Sequence, residues 1–216
     1  MDTASGDFET HLTIGSTEPA VLARLGTWAA ERAGLKLTHI VLDRGATPSQ
    51  PMLTQRWRGS FGAAFAAAQA LRRQLHAAGF SVVRLKLEAA PWNGGIPQSE
   101  SEARAFPAYC HFEHHLKLLL PSESALESLR LAVQPHGAHL SRNARRTRPD
   151  HQHERFVTQR CYGVGQSVAQ AHLAALTEAL AAYTILDSEE EFVLYDSNLT
   201  LDHGWIQPQE LPHAKP

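Results

Sequence analysis

The chain has 216 residues, 43% of them hydrophobic and 19% charged, with a formal net charge of −2 when histidine is neutral. That composition belongs to a globular protein rather than a disordered one, and the near-neutral balance argues against broad electrostatic binding to nucleic acid or an anionic membrane. No run approaches the roughly 18 consecutive apolar residues of a membrane span, residues 1–7 hold no signal-peptide core, and two cysteines without a CxxC pair fit a reducing cytoplasm.

Residues 8–14 alternate as a half-buried strand, and a helix over 18–33 stops at Gly34. Residues 35–42 form a second strand, and a polar loop with Arg44, Gly45 and Pro48 leads to a third near 52–57. The alanine-rich run 63–78, closed by Gly79, is a helix, and 81–89 is the fourth strand. Pro91-Trp92-Asn93-Gly94-Gly95-Ile96-Pro97 and the acidic stretch to Pro107 read as a connection. The order then returns: strand 109–120, helix 122–134 with Ser122 as N-cap, strand 139–145 and a charged loop through Asp150. Strand 154–162, helix 166–182 and a last strand within 185–195 follow. The tail after Asn198, with Gly204, Pro208, Pro212 and Pro216, reads as extended or loose.

The second half also repeats the first in its residues. Phe8-Glu9-Thr10-His11-Leu12 returns as Phe112-Glu113-His114-His115-Leu116, and Thr54-Gln55-Arg56 with Gly59 returns as Thr158-Gln159-Arg160 with Gly163. Both recur 104 residues on (8 to 112, 54 to 158), which reads as a tandem duplication. The expected class is α+β: two tandem β-α-β-β-α-β (ferredoxin-like) repeats related by a pseudo-twofold axis. The units are residues 1–90, a linker 91–107, residues 108–197 and a tail 198–216.

In that plan the repeated motifs fall on the two central strands. Side chains alternate across a strand, so the apolar row Phe8, Leu12, Ile14 meets the helices while Glu9, His11 and Thr13 point to the open face. Glu113, His115 and Lys117 do the same in the second half, with Arg56 and Arg160 on the neighbouring strands. Gln55 and Gln159 then face the helices, for no reason visible in the sequence. If the two sheets pack face to face, both sets converge on a polar cleft. Such a row needs ligand, ions or mutual pairing to be stable there.

Three readings follow. Glu9, His11, Glu113 and His115 can ligate a divalent metal such as Zn, Mn, Fe or Ni, with Arg56 and Arg160 holding a small anionic substrate bidentately. Alternatively, His11 and His115 act without metal as general acid and base. The third reading is a non-catalytic ligand-binding or oligomeric scaffold, in which Glu9–Arg56 and Glu113–Arg160 are structural pairs.

His11-Leu12-Thr13 within a strand resembles the His-x-Thr motif of the 2H phosphoesterases, the 2′-5′ RNA ligase-like group, which also have two lobes with one motif each. The resemblance implies catalysis by His11 and His115 on a phosphate-containing substrate, with Thr13 binding phosphate; at the second motif Lys117 replaces the hydroxyl residue. The expected activity is thus hydrolysis, acid–base or metal-assisted, in a cleft between the repeats. Ser141-Arg142-Asn143-Ala144-Arg145-Arg146-Thr147-Arg148 is the one concentrated basic run; it reads as a solvated strand end, or as a clamp with Arg145 at the mouth of the cleft. Glu189-Glu190-Glu191 reads as an edge-strand charge cluster rather than as a metal site.

Overall fold

The structure, a computed structural model, describes residues 4–146 and 152–206. Thr147, Arg148, Asp150 and the proline-bearing end 207–216 lie outside the described residues. The fold is mixed α+β, and its elements run β1 (Ser5–Ile14), α1 (Pro19–Ala30), β2 (Leu35–Leu42), β3 (Ser49–Ser60), α2 (Phe61–Ala77) and β4 (Val82–Ala89). After a short α3 (Glu100–Ala103) come β5 (His111–Leu120), α4 (Leu126–Val133), β6 (Ala138–Asn143), β7 (His153–Tyr162), α5 (Gln166–Ala179) and β8 (Thr184–Asp196).

The expected face-to-face packing of two sheets is not what forms. All eight strands join in one closed antiparallel barrel, in the order β1-β3-β2-β6-β7-β5-β8-β4 and back to β1. The joins between the halves are short. β2 meets β6 over Ile40–Leu42, and β4 meets β8 over Lys86–Ala89. The physical reason is that two open four-stranded sheets leave four edges of unpaired amides, and closure pairs them with each other. Closure also corrects the reading of Glu189-Glu190-Glu191 as an edge cluster, because β8 is paired on both sides, by β5 and β4.

The polarity follows from the strand alternation. Leu12, Ile14, Leu53 and Leu85 face outward and are sealed by α1 and α2 through Leu25, Leu71 and Leu75. Leu116, Leu118, Leu140 and Val157 are sealed by α4 and α5 through Leu129, Val133 and Leu176. A third apolar cluster, including Phe8, Leu87, Phe112 and Phe192, spans the β4–β8 join. Local chemistry fixes the helix starts: Pro19 opens α1, and the Ser60 hydroxyl accepts from the Ala63 amide at α2. Helix-facing Gln159 has its explanation in two hydrogen bonds: its Oε1 accepts from His114 Nδ1 (3.1 Å) and its Nε2 donates to the His136 carbonyl (2.9 Å).

Two segments read as connections are fastened to the barrel. Within 91–107, Asn93 Nδ2 donates to the Asp7 carbonyl and the Gln166 amide to the Pro97 carbonyl (3.0 Å). The tail was expected to be loose. Instead Leu199–Asp202 forms a 3-10 turn, and Asp202, Trp205 and Ile206 are buried at one barrel end. Among the described residues, the tail's Gly204 marks a turn, not the absence of packing.

Gly165 tests the first attachment. A Cβ at this position would lie 2.4 Å from the Gln98 carbonyl oxygen, backbone against backbone, whereas one at Gly62 meets nothing within 4 Å. Gly165→Ala is expected to destabilise the fold by roughly 1–3 kcal/mol in urea titrations, and Gly62→Ala to leave stability equal or slightly raised. Equal midpoints for the two variants would show that the 91–107 attachment contributes nothing.

Candidate functional site

The inward row of each strand lines a cavity of about 290 Å³ inside the barrel. Glu9, His11, Thr13, Glu113, His115, Lys117 and Arg160 all line it. The register sets who meets whom: His11 lies opposite Thr54 and Lys86, and His115 opposite Thr158 and Glu189. Each histidine pairs through Nδ1 with a threonine hydroxyl on the adjacent strand, His11 with Thr54 and His115 with Thr158, both at 2.9 Å. The hydroxyls fix the rings so that both Nε2 atoms face carboxylates. His11 Nε2 lies 2.7 Å from Glu88 Oε2 and 3.8 Å from Glu9, and His115 Nε2 lies 3.6 Å from Glu191 and 3.7 Å from Glu113.

Like charges stand side by side in this wall. Glu9 is opposite Glu88, and Glu113 is opposite Glu191. Directly opposed carboxylates repel, so cations must sit among them. The Lys86 ammonium contacts both Glu88 and Glu113, and Arg160 Nε donates to Glu113. Burial opposes ionisation of Glu113, but Arg160 and Lys86 overcome it and hold its carboxyl well below the usual range. Glu191 is the one left short of cations: burial and the Glu88 charge push it up to about 7, with His115 opposing them. For His11, burial alone would lower the pKa. The Glu88 charge and hydrogen bond, with Glu9, outweigh burial and raise it to about 9.

The arginine expectations divide. Arg160 is inside, held by Glu113 and by Asp202 Oδ2 at 2.8 Å. Arg56 is at the rim, 80% exposed, with Nε 2.8 Å from Glu9 Oε2. It faces an adjoining groove with Trp57, Trp92 and Glu191 rather than the cavity. Arg145 is exposed in the turn after β6 and does not line the cavity; strand parity fails there because β6 ends at Asn143. Its neighbour Arg146 does line it, and Lys117 is matched by Glu154 at 3.0 Å.

The metal-ligand set also shifts. Among the described residues, the His and carboxylate atoms that converge within 4.8 Å of one another are those of Glu9, His11 and Glu191. Glu113 is committed to Lys86 and Arg160, and His115 stands beside the triad through Glu191. The sequence reading missed Lys86, Glu88, Arg84, Glu191 and Asp202. The first three were within reach, since Arg84, Lys86 and Glu88 alternate with Leu85 and Leu87 in the fourth strand. Asp202 carried no local signal.

No family model matches the chain, and no curated protein matches it. Solved structures with a related course include the regulatory subunit of aspartate kinase from Thermus flavus, 15% identical over 82% of this chain and 94% of that one, with a TM-score of 0.33. A chlorite dismutase variant from Candidatus Nitrospira defluvii is 10% identical over 92% and 93%, with a TM-score of 0.31. A dye-decolorizing protein from V. cholerae is 10% identical over 92% and 96%, with a TM-score of 0.28. Likenesses of this strength carry no functional argument. No helix among the described residues is long and apolar enough to cross a membrane.

The His11 environment sets a pH dependence. Its folded pKa of about 9 exceeds the ordinary 6.5, so the stabilisation from the imidazolium is fully present below about pH 6.5 and lost as pH rises through about 9. Between pH 6.5 and 9.5 the protein is expected to lose of the order of 2 kcal/mol in urea titrations, and His11→Gln should remove at least half of that slope. An unchanged slope in His11→Gln would place the titration elsewhere.

Proposed function

We propose that the barrel interior is the active site of an enzyme acting on a small anionic substrate, with a divalent metal ion held by Glu9, His11 and Glu191. The observation that carries this reading is the convergence of those three ligand atoms within 4.8 Å at the cavity wall. One imidazole and two carboxylates suit Zn, Mn or Fe, and three protein ligands leave coordination positions for a Lewis acid's substrate. His11 would ligate through Nε2, with Nδ1–H donated to Thr54 as the orienting bond.

The charge balance supports the same reading. Lys86 and Arg160 are taken up by Glu88 and Glu113, while Glu9 and Glu191 also line the cavity, and the His11 proton supplies the next positive charge. A metal ion would replace that proton, so affinity is expected to rise with pH. Inside the barrel the arginines are already matched, Arg84 by Asp196 and Asp202 and Arg160 by Glu113 and Asp202. The positive charge for an anionic substrate would therefore come from the metal. His115, whose Nε2 faces Glu191 without ligating in the triad, would move a proton in this reading. Hydrolysis of a phosphate ester, the reaction implied by the His11-Leu12-Thr13 resemblance, is the reaction to test first.

This reading includes a tandem duplication, two β-α-β-β-α-β units about a pseudo-twofold axis. It is supported by the matching sheet orders β2-β3-β1-β4 and β6-β7-β5-β8 and by the paired His11–Thr54 and His115–Thr158 contacts. A second reading has an observation of its own. Glu9–Arg56 and Glu113–Arg160 are ion pairs, as a structural polar core without catalysis would have them.

The test is metal titration of chelator-stripped protein with Zn²⁺ and Mn²⁺, followed by melting temperature and elemental analysis. One ion per chain and a raised melting temperature are expected. Glu191→Gln should weaken binding by about tenfold or more, since a charged ligand interaction of roughly 1.5–3 kcal/mol is lost. A screen against phosphodiesters and cyclic phosphates should show turnover that requires both the ion and His115. Absence of any bound ion overturns the metal assignment, and a folded protein with neither ion nor turnover leaves the structural-core reading.

A further inference from the structure

The barrel end beside Thr13 and Arg84 is closed by the chain's own C-terminal segment, and the closure is made by one carboxylate. Arg84 Nη1 lies 3.0 Å from Asp202 Oδ2, Arg160 Nη2 donates to Oδ2 at 2.8 Å, and Gln50 Nε2 donates to Oδ1 at 3.1 Å. The three donors come from three different wall strands, β4, β7 and β3. Asp202 and Gln50 are each 2% exposed and Arg84 6%, so the contact is largely shielded from bulk water.

The geometry points to a carboxylate-binding site built by Arg84, Arg160 and Gln50, in which Asp202 is an internal stand-in for a small-molecule carboxylate that displaces it and opens this end of the barrel. Arg84, Arg160, Gln50 and Asp202 line the same cavity as the metal ligands, but none of them is a ligand in that reading and the ligand here is an anion, so the inference does not depend on it.

Three features carry it. First, the donors hold their places without Asp202: Asp196 grips Arg84 through Nε and Nη2, and Glu113 holds Arg160 through Nε. The site is preorganised by the wall rather than by its occupant. Second, the occupant belongs to a detachable piece. Trp205 and Ile206 pack with Leu42 in a small apolar cluster separate from the three that seal the helices. Among the described residues, the segment's other ties are three hydrogen bonds and two ring contacts: the Ala46 amide to the His203 carbonyl (2.9 Å), Trp205 Nε1 to the Leu140 carbonyl (3.0 Å), Arg44 Nε to the Trp205 carbonyl (3.3 Å), and the Trp205 ring against His139 and Arg160. Such a satellite opens at lower free energy than the barrel unfolds. Third, the valence selects the ligand. Withdrawing Asp202 uncovers one negative charge's worth of buried guanidinium, with donors arranged on two oxygens, which a planar monoanionic carboxylate restores one for one. A phosphate dianion would overfill it.

The experiment uses the full chain with Asp202→Ala, melted in acetate, phosphate and chloride at constant ionic strength. Acetate is expected to raise the melting temperature of the variant well beyond chloride, and to bind it about tenfold or more tightly than the unsubstituted protein. Equal effects of acetate and chloride would show that Asp202 is only a seal and overturn the site. A larger effect of phosphate would overturn the carboxylate assignment. Should Asp202→Ala fail to fold, the proposal is decided by hydrogen exchange on the unsubstituted protein alone. Displacement itself is read by hydrogen exchange on the unsubstituted protein. High acetate should speed exchange in residues 199–206 while β1 and β5 stay protected, and unchanged exchange there rejects displacement.

Discussion

The structure depends on matching charge inside a closed space. Lys86 sits between Glu88 and Glu113, and around it His11, His115 and Arg160 separate carboxylates that the strand register places directly opposite one another. In water such neighbours would cost little, but in a barrel interior each unmatched charge costs several kcal/mol. The row is therefore all-or-none. Removing Lys86 would leave Glu88 and Glu113 without the ammonium that both contact.

That constraint explains why the barrel is built with its polarity inverted. An eight-stranded barrel has an interior that side chains nearly fill. Here the apolar rows are turned outward, under four covering helices, so that the interior is free to carry polar groups. The threonines Thr54 and Thr158 matter out of proportion to their size. Each fixes an imidazole by Nδ1 and aims Nε2 at the carboxylates, which makes the two rings elements of a site rather than mobile bases.

Much of this was legible in the sequence, because alternation in a strand is a two-residue rule that needs no knowledge of the fold. Glu9, His11, Glu113, His115 and Lys117 were placed on the polar face from parity alone, and they share the cavity. Closure was not legible, because edge pairing is decided by which strands are left unpaired after each sheet forms. Misjudging it hid Glu191, which reads as a solvent-side charge until β4 pairs with β8. Arg145 went wrong for a smaller reason: a strand end two residues earlier than expected puts a side chain into a turn. Asp202 is the hardest case. Its partners Arg84, Arg160 and Gln50 are 118, 42 and 152 residues away, so only tertiary structure joins them.

The charge rows on β4 and β8 show why neither half of the chain can stand for the whole. β4 turns Arg84, Lys86 and Glu88 inward, whereas β8 turns Asp187, Glu189 and Glu191 inward, and the two strands are neighbours across the join. Lys86 finds one carboxylate on its own strand and the other on β5, and Arg84 finds both of its carboxylates in residues after Leu194. Either four-stranded sheet alone would expose a face of partly unmatched charge and two open edges. Closing the barrel meets both deficits at once. His11 has Glu88 against its Nε2, whereas His115 has Glu191, the carboxyl that burial and Glu88 hold at about 7. The two rings thus face glutamates at corresponding register positions, Glu88 opposite Glu9 and Glu191 opposite Glu113, whose surroundings differ: Lys86 and His11 hold Glu88 ionised, whereas burial and the Glu88 charge push Glu191 up.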